Sequence, residues 1–136
     1  MRSKLKRWLL PVVVGLVGFG AASASAPIAS AAERKLTGAE IETVLSGNTV
    51  TGVGDRGAWG QFFDKNGDTR YVRGSEAPSV GAWKVQGDQY CSQWPPAAGW
   101  ACYDVTADLA ATPPTLTWIG ESGTKYPGKV KTGNAL

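Results

Sequence analysis

Apolar residues change their spacing twice along this chain. From Trp8 to Gly20 they form an uncharged run of 13 residues. Around residues 36–45 they recur at helical intervals. Beyond Asn48 they alternate with polar residues between frequent glycines. These three patterns predict an apolar leader, one amphipathic helix and a series of short strands.

The helix has the clearest local signature. Leu36-Thr37-Gly38-Ala39-Glu40-Ile41 reads as a capping box, with Thr37 at the cap and Glu40 reaching back to it. Leu36 and Ile41 form the accompanying hydrophobic staple. Ile41, Val44 and Leu45 share one stripe, and Gly47 ends the element, giving a helix over about 37–46. So short a helix does not persist alone in water and must lie on a partner element.

The remainder reads as strands at 48–53, 57–63, 69–73, 80–86, 89–94, 100–106, 115–119 and 125–131. Asp64-Lys65-Asn66-Gly67 supplies a turn between the second and third, and Pro95-Pro96 and Pro113-Pro114 interrupt any strand passing through them. A two-residue turn at Gly87-Asp88 pairs Trp83 with Ser92, Lys84 with Cys91 and Val85 with Tyr90. One face then carries Trp83, Val85, Tyr90, Ser92 and Trp94; the other carries Lys84, Gln86, Gln89, Cys91 and Gln93. Placing Cys91 opposite Cys102 sets Tyr90 against Tyr103 and keeps the same face apolar across three strands. A one-residue slip destroys this agreement. Leu116 and Trp118 extend the apolar set. The expected fold is mainly β: a small antiparallel barrel or curved sheet of seven to eight strands with one N-terminal helix. The helix is expected to cover one open end or face.

Charge clarifies the leader. Arg2, Lys4, Lys6 and Arg7 precede the apolar run, and Ala21-Ala22-Ser23-Ala24-Ser25-Ala26 follow it, the order of a secretory signal. The run is shorter than the ~20 residues that span a bilayer, so no stable membrane anchor is expected after cleavage. Ala24-Ser25-Ala26 obeys the small-x-small rule, but Pro27 disfavours a cut there, leaving Ala24 or Ala31 as the expected site. The chain is thus divided into a signal at 1–31 and a single disulfide-bearing domain at 32–136, periplasmic or extracellular. The full chain carries 14 Lys+Arg and 11 Asp+Glu; without the four basic leader residues the balance falls from +3 to about −1. Nucleic acid, which needs a basic patch, is therefore not an expected partner. Lys125, Lys129 and Lys131 alternate as the solvated face of a last strand.

Candidate chemistry is sparse. The sequence has no histidine, which removes the commonest general base and metal ligand. Asp64-Lys65-Asn66-Gly67-Asp68 suggests a calcium loop but lacks the bidentate Glu at the twelfth loop position, which is Ser75 here, with Glu76 one place late. No Ser–Lys spacing suggests a nucleophile. Asp55, Glu76, Asp88, Asp104 and Asp108 are available for a carboxylate pair, but they sit beside turn glycines or strand ends. No catalytic residues, metal ligands or cofactor are assigned. Cys91 and Cys102 in an exported chain predict a disulfide, contributing roughly 3 kcal/mol through loop closure.

Trp94-Pro95-Pro96-Ala97-Ala98-Gly99-Trp100 is the candidate partner-binding loop, specifically Trp94, Pro95, Pro96 and Trp100. Rigid aromatic side chains on a constrained loop lose little entropy on contact. The pairing scheme turns Trp94 inward and Trp100 outward, where it either meets a partner or folds over the core or the disulfide.

The motifs Leu36-Thr37-x-x-Glu40, Gly81-x-Trp83-x-Val85-x-Gly87-Asp88, Cys91-x-x-Trp94, Cys102-Tyr103, Trp118-Ile119 and Gly133-Asn134 together resemble a family of small exported proteobacterial proteins of unknown function. The resemblance implies no activity. The expected function is a non-enzymatic envelope binding module, taking a small ligand or protein partner at the barrel mouth or through the 94–100 loop. The alternatives are an inhibitor of an envelope hydrolase and a hydrolase using carboxylates alone.

Overall fold

A computed structural model of the protein describes residues 33–136; the candidate signal segment and its expected cleavage sites lie outside the described residues. The elements are β1 (Arg34–Lys35), α1 (Gly38–Leu45), β2 (Thr49–Gly54), β3 (Gly57–Phe63), β4 (Asp68–Arg73), β5 (Ser79–Gln86), β6 (Gln89–Gln93), β7 (Ala101–Asp108), β8 (Thr115–Ile119) and β9 (Lys125–Lys131). From β2 onward each strand pairs antiparallel with the next, and β9 returns to pair with β2. The result is a closed eight-stranded up-and-down barrel, an arrangement that leaves no free sheet edge. The β1 strand runs along β7 at Thr106 and Ala107, beyond the point where β6 stops pairing with that edge.

The helix forms as its capping signals dictate. Thr37 accepts the Glu40 backbone N–H, and the Glu40 carboxylate accepts from the Thr37 N–H at 2.9 Å. Arg34 donates to the same carboxylate at 2.6 Å and, together with Thr37, holds its pKa down at about 2. Gly47, at φ 77°, turns the chain out of the helix. Ile41 and Leu45 are fully buried, Leu36 nearly so. At its start, the Gly38 N–H donates to Asp88 Oδ1 at 2.8 Å, which binds α1 to the β5–β6 turn. The helix therefore closes the end of the barrel where that turn and the Asp64–Gly67 turn lie.

The register across β5, β6 and β7 is the expected one. Lys84, Cys91 and Cys102 are aligned, as are Val85, Tyr90 and Tyr103. Cys91 and Cys102 are disulfide-bonded, with Cα atoms 4.0 Å apart. The bridge lies on the outer wall, and the inward face is the apolar one. Near the helix the interior is filled by Phe63, Trp83, Val105, Leu116 and Val50, all buried. Trp83 donates its indole N–H to the Asp64 carbonyl at 2.8 Å. Above this base lies a buried polar layer: Gln61 Nε2 donates to both Thr69 Oγ1 and Tyr90 Oη at 2.9 Å. The C-terminal tail fastens to the outside of β2, where Thr49 Oγ1 donates to the Gly133 carbonyl at 2.7 Å and accepts from the Ala135 N–H at 2.9 Å.

Candidate functional site

An eight-stranded barrel has an interior that side chains can just fill, or that can hold one small ligand. This barrel does both. Below the Gln61–Tyr90 layer it is packed; above it opens a cup of about 880 Å³, lined by the strand ends opposite the helix and by residues of three of the four loops there. That volume lies within the ~300–1,000 Å³ range of small-molecule pockets.

Strand alternation puts the lining in place. On β3, Phe63 and Gln61 face the base and middle, so Trp59, two further residues on, faces the cup. On β4 the same step runs from Thr69 to Tyr71 and Arg73. Trp118 of β8 and Tyr90 of β6 form the floor, with ring centroids 5.6 Å apart. Trp59 stacks on Tyr71 at 6.1 Å and 26°, and Trp94 meets Tyr71 edge-on, also at 6.1 Å. Across the cup Tyr103 contacts Tyr126 edge-to-face at 6.2 Å. Seven aromatic rings thus surround one concavity. Burial raises the Tyr90 hydroxyl to about 12, and burial followed by the neighbouring Tyr126 raises Tyr103. Neither phenol is ionised near neutrality. Trp118, 5% exposed, keeps its indole N–H without a partner among the described residues.

Two of the rings lie flat because glycines make room for them. A Cβ at Gly81 would stand 2.7 Å from the Trp94 ring; one at Gly52 would stand 2.5 Å from Trp59, and one at Gly128 3.2 Å from it. Gly52 and Gly128 belong to the two strands that close the barrel, β2 and β9. That seam is paired only from Thr49 to Thr51, and Pro127, above it, has no N–H to extend the ladder. The Trp59 ring lies across this unpaired stretch.

The lip is partly apolar and net positive. Val53 and Val80 are 79% and 60% exposed there. Arg56, Arg73 and Lys125 line the mouth with Asp55 as the only carboxylate. Among the described residues the salt bridges are Arg34–Glu40 and Lys35–Asp104, so none of the three mouth cations is paired. Arg73 lies over the Tyr71 ring at 5.3 Å and donates to its hydroxyl at 2.7 Å.

The 94–100 loop divides its residues between two surfaces. Trp94 is half-buried, donates to Ser92 Oγ at 3.2 Å and lines the cup together with Pro95. Pro96 is exposed at the loop tip and does not line the cup. Trp100 turns to the outer wall, 40% exposed, with Lys84 Nζ 4.2 Å from its ring centre. Lys84 is the pairing partner of Cys91, so this contact sits beside the disulfide, away from the mouth.

The other candidate carboxylates have local work. Asp88 holds the helix start, Asp104 pairs with Lys35 at 3.1 Å, and Asp108 accepts from the Ala110 and Ala111 N–H groups. Glu76 does not line the cup. The oxygens of the 64–68 turn serve its own hydrogen bonds: Asp64 accepts from the Asn66 N–H, and Asn66 from the Asp68 N–H. Sequence reasoning placed Tyr103 and Trp118 inside but passed over Trp59, Tyr71, Arg73 and Tyr126. The i, i+2 steps from Phe63 and Thr69 were the available signal for the first three.

The disulfide is consistent with an oxidising compartment, and no helix among the described residues is long and apolar enough to cross a membrane. The chain matches no protein-family model, no curated protein and no solved structure.

Proposed function

We propose that this protein is an exported, non-enzymatic binding module whose ligand is a small molecule held in the barrel mouth. The observation that carries the reading is the half-filled barrel: a packed base, a hydrogen-bonded polar layer, and above them an aromatic cup open to solvent. Aromatic rings left half-exposed in a concavity gain by burying a ligand, and few of their rotamers remain to be frozen, since glycine clefts and ring contacts already hold them. A hydrolase of the carboxylate-pair type needs two acids about 5–10 Å apart, and the cup is lined by Asp55 alone, which favours binding over catalysis. The division of Trp94 from Trp100 likewise supports the mouth over the loop tip as the recognition surface. Export is supported by the basic, apolar and small-residue order of the N-terminal sequence together with the disulfide. Membership of the family of small exported proteobacterial proteins that the motifs resemble is part of the same proposal.

The test is a fluorescence titration of the purified protein with the neutral probe N-phenyl-1-naphthylamine. Saturable one-to-one binding with a blue-shifted probe is expected, weakened at least about tenfold in Trp59→Ala and Trp94→Ala. Absence of saturable binding to the wild-type protein, or undiminished binding in both variants at unchanged far-ultraviolet circular dichroism, overturns the proposal.

A further inference from the structure

We infer that the cup is built for a flat aromatic molecule carrying one anionic group, with its ring system among the indoles and phenols and its acid at the lip against Arg56, Arg73 and Lys125. This inference rests on the mouth being the binding site and adds the chemical class of the ligand.

Shape argues for the flat body. The base below Gln61 and Tyr90 is filled, so only the upper part of each strand surrounds the cup. Three or four residues at about 3.3 Å each, on strands tilted about 35–45° to the barrel axis, give a depth of roughly 7–11 Å. An extended alkyl chain of ten or more carbons overruns that depth, whereas a fused two- or three-ring system fits within it. Trp59 and Tyr71 lie nearly parallel, at 26° with centroids 6.1 Å apart, and a flat ring extends such a stack better than a flexible chain does. Trp94, seated in the notch over Gly81, meets the Tyr71 ring edge-to-face.

Charge decides between the two kinds of polar ligand that aromatic cups attract. Ring faces carry negative potential and would by themselves suit a cation. A cation entering here, however, meets three unpaired positive side chains and one carboxylate. Glu76 and Glu121 stand on the same loops without lining the cup. An anion is repelled by the ring faces and attracted at the lip, so the two fields orient the ligand with its acid group outermost. Arg73, lying over Tyr71 and hydrogen-bonded to it, is held where wall and lip meet.

Isothermal titration calorimetry at two salt concentrations with four probes tests this inference: 2-naphthalenesulfonate, neutral 2-naphthol, 2-naphthylmethylammonium and 1-decanesulfonate. Naphthalenesulfonate should bind about tenfold tighter than naphthol, the gain expected of one charge-assisted contact, and that preference should shrink at high salt. The ammonium compound should bind weakest, and decanesulfonate more weakly than its aromatic counterpart. In the double variant Arg56→Gln/Lys125→Gln, naphthalenesulfonate should lose most of its advantage over naphthol, the remainder being held by Arg73, while the melting temperature stays put. Equal binding of sulfonate and naphthol, tighter binding of the ammonium compound, or tighter binding of decanesulfonate overturns the inference while the binding-site proposal stands. Failure of all four probes, together with failure of N-phenyl-1-naphthylamine, overturns both.

Discussion

Trp83 and Trp118 are both buried indoles, yet they differ in one atom's circumstances. The Trp83 N–H is satisfied by the Asp64 carbonyl at 2.8 Å, whereas that of Trp118 has no partner among the described residues. Replacing a paired donor orphans its acceptor, while replacing an unpaired donor removes a desolvation cost. Trp83→Phe should therefore be the more destabilising substitution, by about 1–2 kcal/mol in urea unfolding. Tyr90 makes a second prediction at this scale. Burial raises its pKa from 10.0 to about 12, so the folded state holds the proton more tightly than the unfolded state. The stability this confers is complete below pH 10 and is lost as pH rises from 10 through 12. Over that interval unfolding free energy should fall by roughly 2–3 kcal/mol on account of Tyr90. Tyr90→Phe should flatten this alkaline limb without abolishing it, because Tyr103 is raised as well.

At the scale of elements, the helix and the β5–β6 hairpin depend on a close approach at Gly38. A Cβ there would lie 2.1 Å from the Gly87 carbonyl oxygen, which is backbone and cannot swing aside. Gly38 is helical and not at positive φ, so the constraint is steric rather than conformational. Alanine, the better helix former, should nevertheless destabilise the protein by about 1–3 kcal/mol, as overpacking does, measured by thermal or urea unfolding. The bounds of this helix were legible in the sequence because capping box and staple are local chemistry between residues three to five apart. The strands of the three-strand unit were legible for a related reason: turn geometry, side-chain alternation and one disulfide each constrain register, and all agree. The short β1 strand was not legible. Arg34 and Lys35 have no strand signature of their own and pair only because β7 outlasts β6 on that edge.

At the scale of the whole molecule, the disulfide joins two strands that already pair. Reduction should leave the register intact and act mainly on the unfolded chain, lowering stability by about 3 kcal/mol. The Cys91→Ala/Cys102→Ala variant should show the same loss in urea unfolding, with the binding of N-phenyl-1-naphthylamine retained below the transition.

Sequence by itself determined the mainly β class, the helix with its cap, the inward face of β5 to β7 and the cysteine pairing, because period-two alternation and turn residues act over short separations. It did not determine depth. Phe63, Gln61 and Trp59 face inward from one strand, yet they occupy the packed base, the polar layer and the open cup. Alternation specifies a side chain's face and says nothing of which end of the barrel is closed. That was decided by contacts between distant residues: Gly38 with Asp88, which places the helix over one end, and Thr49–Thr51 with Lys129–Lys131, which closes the wall. The same closure leaves Trp59 across the seam, whereas the parting of Trp94 from Trp100 to opposite sides of the wall already followed from strand alternation.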